Sequence, residues 1–190
     1  MSIFSVDRPL KSFCWSRSEV SWLHNTALVL FGSLLLAISA KISLPLQPTP
    51  VTLQTFAVLL LSMLFGSRLG VLTVLAYLAE GFMGMPVFAE PVTGFAVFLS
   101  PTIGYLLGFI PAAFVAGLLV ERGWGMSRLS AGLAAFIGAT IILFCGWLGL
   151  AVVSGPQMAF TLGVVPFVGI ELAKVLVLAA TIPFCWKSAK

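Results

Sequence analysis

Long apolar runs recur six times along this chain, and they leave essentially one kind of fold open to it. A hydrocarbon core about 30 Å thick offers the backbone no water, so every N–H and C=O inside it must be bonded within the spanning segment. That requirement selects helices. Of the 190 residues, 60% are hydrophobic and only 8% charged, which excludes a soluble globular core. The expected architecture is all-α, a polytopic bundle of six transmembrane helices. The runs cover residues 26–40, 51–65, 69–84, 102–120, 129–153 and 164–186. The second follows the proline-rich stretch 44–50, which cannot continue a helix but suits a helix start.

Basic residues set the expected orientation. With the N-terminus inside, Arg8, Lys11, Arg17, Arg68, Arg122, Arg128, Lys187 and Lys190 are cytoplasmic, Lys41 alone is at the outer face, and Lys174 lies within a span. The net charge of +4 therefore reflects topology rather than a nucleic-acid surface, because the cations form no dense patch. Residues 1–25 lack the apolar core and small-residue cleavage site of a secretory signal, so they read as a cytoplasmic leader. Residues 26–186 form one membrane domain and 187–190 a cytoplasmic tail. Both termini are expected on the cytoplasmic side. Cys14, Cys145 and Cys185 are placed too far apart to pair and have no metal-ligand spacing, and His24 sits at the inner edge of the first span.

Within the last run stands the pair Glu171 and Lys174, three residues apart and so on one helical face. A charge at bilayer depth costs about 2.5 to 3.5 kcal/mol on insertion scales, so the pair is either an ion pair fastening the last helix to its neighbours or part of a ligand site. Pro166 and Gly169 precede it. They suggest a helix that restarts near Ile170 and lines a cavity at membrane depth. Elsewhere, Gly104, Gly108, Ala112 and Ala116 recur at every fourth position and form a smooth ridge for a close helix contact, with Pro111 expected to bend that helix. Ser33, Ala37 and Ala40 make a similar small-residue face on the first helix. Spacing alone allows either internal packing or the docking of a partner subunit there.

Four ordered motifs carry a family resemblance. They are Pro48-Thr49-Pro50-Val51-Thr52-Leu53-Gln54-Thr55; Tyr77-Leu78-Ala79-Glu80-Gly81 leading to Gly84-Met85-Pro86-Val87-Phe88-Ala89; Pro101-Thr102-Ile103-Gly104-Tyr105-Leu106-Leu107-Gly108-Phe109; and Pro166-Phe167 followed by Glu171 and Lys174. Together they resemble the BioY family, the biotin-specific S components of energy-coupling factor (ECF) transporters. The resemblance covers about residues 35–180 and implies a six-helix bundle in a bacterial cytoplasmic membrane. The implied function is capture of biotin at the outer face and its uptake. The implied partners are a transmembrane coupling subunit and two ATP-binding cassette ATPases, which would use the ATP; no cofactor is expected on this chain, and it carries no Gly-x-x-x-x-Gly-Lys phosphate loop. Three departures stand out: Glu90-Pro91-Val92-Thr93-Gly94 where the family has a glycine-rich stretch, Ser100-Pro101-Thr102-Ile103-Gly104-Tyr105 where it has Gly-Pro-Thr-Gly-Gly-Tyr, and Ile170-Glu171 where it has Gly-Asp.

Biotin combines an apolar bicycle, a ureido group and a valerate carboxylate. Its site needs an acceptor for the ureido N–H groups, a donor, and aromatic walls. The resemblance puts the acid and the lysine on Glu171 and Lys174. Polarity and position add Gln54, Thr93, Gly94 and Thr102 as candidate contacts, and Phe88, Phe95, Tyr105 and Trp147 as candidate walls, although each aromatic could equally be bundle packing. Two alternatives remain: an S component for another small vitamin, or a structural or pore-forming oligomer. An enzyme is not expected, since the spans hold no His, Cys or Asp cluster.

The distribution of basic residues predicts the outcome of accessibility labelling with single-cysteine variants. Both termini, Arg68 and Arg122 should label from the cytoplasmic side, and Gln47 and Glu90 from outside. Termini on opposite faces would contradict six crossings.

Overall fold

A computed structural model describes residues 22–46, 48–90 and 92–188. The leader up to residue 21, Gln47, Pro91 and the last two residues lie outside the described residues, as do the side chains of Lys187 and Ser188. Six α-helices lie among the described residues: α1 (Trp22–Lys41), α2 (Gln54–Phe82), α3 (Ile103–Glu121), α4 (Arg128–Ser154), α5 (Pro156–Gly163) and α6 (Val165–Ser188). A two-stranded antiparallel ribbon, β1 (Ser43–Leu44) with β2 (Val51–Thr52), joins α1 to α2, and one 3₁₀ turn, Gly94–Leu99, lies in the long α2–α3 connection.

Five of these helices, all but α5, are long and apolar enough to cross a membrane. The sixth crossing is inside α2. Gly66 has φ 85° and ψ 176°, a backbone conformation open to glycine and strained for other residues, and it interrupts the helix there. Beyond it the chain folds back, because a Cβ on Gly70 would lie 2.8 Å from the Ser62 Cα, a contact that a straight helix would forbid. The arms 54–65 and 67–82 thus correspond to the second and third apolar runs. Glu121 seals the turn: its Oε1 accepts from the Ser67 N–H at 2.8 Å, capping the free end of the second arm.

α3 lies between α2 and α4 and forms the centre of the bundle. Its small-residue ridge is buried throughout, with Ala112 and Ala116 fully enclosed. A Cβ on Gly104 would meet the Cys145 carbonyl at 2.6 Å and the Gly149 Cα at 3.0 Å, so α3 and α4 touch backbone to backbone. The helix runs on through Pro111, and at the far end of the connection Ser127 caps α4 by accepting from the Ser130 N–H.

Two expectations need correction. The second run begins with ribbon rather than helix, since Val51 and Thr52 pair with Leu44 and Ser43, and helix starts only at Gln54. The last helix restarts at Val165, not near Ile170. The stretch between the fifth and sixth apolar runs forms α5, and α6 follows after the single residue Val164. Pro166 then occupies the first turn, where its missing N–H costs no bond, and Gly169 is tolerated inside the helix. Glu171 accordingly stands in the second turn of α6.

The glycine contact between α3 and α4 generates a prediction. Gly104→Val should force the helices apart and lower stability by about 1 to 3 kcal/mol, seen as a lower melting temperature of the detergent-purified protein. An unchanged melt would show that the two backbones do not meet there.

Candidate functional site

The site grows from one buried ammonium. Lys174 Nζ, on α6, donates to Glu171 Oε1, to Thr55 Oγ1 and to the Thr52 carbonyl, each at 2.7 Å. Those three bonds use every proton it has. Thr55 in turn donates to Glu171 Oε1 at 2.7 Å, so one hydroxyl bridges acid and base. The pair is the only salt bridge among the described residues, and both partners are buried. Its effect on the fold is to tie the second turn of α6 to the ribbon and to the first turn of α2, segments more than a hundred residues apart in sequence.

Next to this knot the chain encloses a small cavity of about 50 Å³. The ribbon and α2 contribute Thr49, Thr52, Gln54 and Thr55; the α2–α3 connection contributes Phe88, Glu90 and Thr102; α3 contributes Tyr105 and Phe109; α6 contributes Phe167 and Glu171. Ligand pockets run to about 300–1,000 Å³, so a molecule of vitamin size enters only if the ribbon or the α2–α3 connection yields. Local sequence explains how the walls are placed. The Tyr105 ring rests on Gly146, where any side chain would collide with it, while its hydroxyl donates to the Gly163 carbonyl and its ring stacks on Phe167 at 5.7 Å. Phe88 sits in the same way on Gly81 and meets Tyr77 edge-on at 5.5 Å. Tyr77 also accepts from Gln54 Nε2 and donates to the Val87 carbonyl, and Lys41 Nζ donates to the Phe88 carbonyl at 2.7 Å, so the connection is pinned at two successive residues.

Of the residues expected at a site, Glu171, Gln54, Phe88, Thr102 and Tyr105 converge on this cavity. Lys174 stands behind Glu171, its protons already taken up. The remaining expectations fall elsewhere. Thr93 and Gly94 lead into the 3₁₀ turn and do not line the cavity, and Phe95 is 84% exposed, stacked on Phe98. Trp147, about 100° around α4 from Gly146, points away from the small cavity. There it donates to the Pro156 carbonyl and lines a second, almost wholly apolar hollow of about 460 Å³ with Phe136, Phe144, Phe160, Leu172 and Glu171, so Glu171 borders both spaces. On α1, Ser33 donates to Glu80 Oε1 at 2.8 Å and Ala40 is fully buried, so both face the bundle, while Ala37 is half-buried. Thr49, Thr52, Thr55, Phe109 and Phe167, which stand in the quoted motifs, and Glu90, which stands in a departure from them, were not named as site residues from sequence. For Thr52 and Thr55 a signal existed, since they are spaced three apart around Gln54 in the first motif.

Fold and cavity together define a membrane-spanning helical bundle with a small cavity between its connections and α3 and α6. The chain belongs to the BioY family, whose model matches residues 12–190. It is 40% identical over 151 residues to "Biotin transporter BioY" of Thermotoga maritima, covering 76% of this chain and 85% of that protein. It is 38% identical over 168 residues to "Biotin transporter BioY" of Rhodobacter capsulatus, covering 80% and 87%. A protein of Pyrococcus horikoshii named "Probable biotin transporter BioY" is 39% identical over 140 residues, covering 74% and 82%. Among solved structures, the S-component for biotin from an ECF-type ABC transporter superposes with a TM-score of 0.76 at 21% identity, covering 87% of this chain and 92% of that one, which establishes the shared fold.

The bridging hydroxyl predicts a stability effect. Thr55→Val keeps the shape but removes an acceptor from Lys174 and a donor from Glu171, so it should cost about 1 to 3 kcal/mol, while Thr55→Ser should restore most of the loss. A thermal melt in detergent measures both; a valine variant as stable as the parent would mean the knot does not form.

Proposed function

We propose that this chain is the substrate-capture subunit of a vitamin transporter, binding biotin and mediating its uptake. The observation that carries this reading is the cavity beside Glu171. One carboxylate oxygen, Oε1, is held by Lys174 and Thr55, and the side chain borders a space walled by Tyr105, Phe88 and Phe167. An acceptor fixed next to flat apolar rings matches a ureido group fused to an apolar bicycle. The names of the relatives, all biotin transporters or probable ones, support the same ligand.

The chain has no phosphate loop, so energy for transport comes from partners in this reading: a transmembrane coupling subunit and two ATP-binding cassette ATPases that consume the ATP. No catalytic chemistry is assigned to the chain itself. The coupling subunit would seat on the outer face of α1, where Ala37 lies between the exposed Leu34 and Ile38. The protein would sit in a bacterial cytoplasmic membrane with both termini inside.

Equilibrium binding of biotin to the detergent-purified protein tests the assignment. Glu171→Gln keeps an oxygen for Lys174 but weakens the acceptor, and loss of a hydrogen bond to a charged group costs about 1.5 to 3 kcal/mol, so affinity should fall roughly tenfold to a hundredfold. Glu171→Ala, which also strands the buried ammonium, should weaken binding further. Variants that bind like the parent and only melt earlier would make the pair a structural fastener.

A further inference from the structure

The cavity holds two carboxylates, and only one of them is neutralised. Glu171 has Lys174 against it. Glu90, on the α2–α3 connection, lines the same space, and its Oε2 accepts from Ser100 Oγ at 2.6 Å. Ser100 Oγ also lies 2.7 Å from Thr102 Oγ1. These hydroxyls hold the Glu90 side chain in place without cancelling its charge, and it forms no salt bridge among the described residues. Lys41, the cation tied to this connection, is bonded to the Phe88 carbonyl instead.

We propose that Glu90, the second acid lining the cavity, sets the selectivity of the site, disfavouring a ligand whose tail is anionic relative to one whose tail is neutral. The inference rests on the biotin reading above, and it follows from the placement of the two acids. A ureido head against Glu171 leaves the rest of the molecule to share the cavity with Glu90, which lines the same space. A carboxylate tail there meets a like charge that has no salt-bridge partner among the described residues, in a protein cavity where repulsion is screened less than in bulk water. A carboxamide tail meets an acceptor to which it can donate.

Competition between biotin and biotinamide, in which the tail carboxylate is replaced by a carboxamide, measures this selectivity. Glu90→Gln should shift the affinity ratio toward biotin by about fivefold, the order expected for removal of one like charge at several ångström. Glu90→Asp, which keeps the charge, should leave the ratio near that of the parent. Raising the ionic strength should shift the parent's ratio toward biotin and leave that of Glu90→Gln unmoved. A ratio unaffected by Glu90→Gln would overturn the proposal. So would equal weakening of both ligands, which would place the ureido head at Glu90. Failure of the parent to bind either ligand is a different result: it would remove the biotin reading, and this inference with it.

Discussion

A lysine ammonium buried at bilayer depth has to find an acceptor for each of its protons, and Lys174 finds them on three separate groups. The cost of leaving such a charge unpaired is several kcal/mol, large against the stability of a domain of this size. The Thr52 carbonyl is available because the ribbon turns the chain just before α2, Thr55 because the first turn of α2 points at α6, and Glu171 because it is one turn back on the same helix. Each is useful only if the others are in place. The knot therefore fixes where the α1–α2 connection lies, and that connection forms one wall of the cavity.

The other walls are set by close approach rather than by charge. Glycines at 81 and 146 leave room for the rings of Phe88 and Tyr105 to lie flat on a helix backbone, and Gly104 lets α3 and α4 come together beneath them. Carbonyls then orient the polar ends, with Gly163 taking the Tyr105 hydroxyl and Val87 that of Tyr77. The result is a small, largely apolar chamber with a few polar side chains, among them Gln54 and Glu171, set into its wall. Its cover is the α2–α3 connection, held by Tyr77 and Lys41 through two main-chain carbonyls, bonds that can be exchanged without unfolding a helix.

Much of this was legible in the sequence, for identifiable reasons. The runs at 102–120 and 129–153 match α3 and α4 to within a residue at each end, because a bilayer-length apolar run with glycine or polar punctuation admits only a helix. The Gly66 fold-back was also legible, as a gap between two apolar runs. The restart of the last helix was misplaced because Pro166 and Gly169 suggest a break, whereas a proline in the first turn of a helix breaks nothing. At the site, charge and motif drew attention to Glu171 and Lys174, but not to Thr55, whose importance arises only when α2 meets α6. Loop residues fared worst. Phe95 and Thr93 follow no periodicity that fixes which way they face, and Trp147 turns away from the cavity although its neighbour Gly146 supports the Tyr105 ring.

The central claim is that the ligand is held between the Lys174 knot and the α2–α3 connection. Hydrogen exchange of backbone amides in the detergent-purified protein, with and without saturating biotin, tests it most directly. The account predicts slowed exchange confined to residues 51–55, 88–90 and 102–109, the segments that enclose the cavity. Slowed exchange around Phe144, Trp147 and Phe160 instead, with the cavity segments unchanged, would place the ligand in the apolar hollow between α4 and α6 and contradict the account.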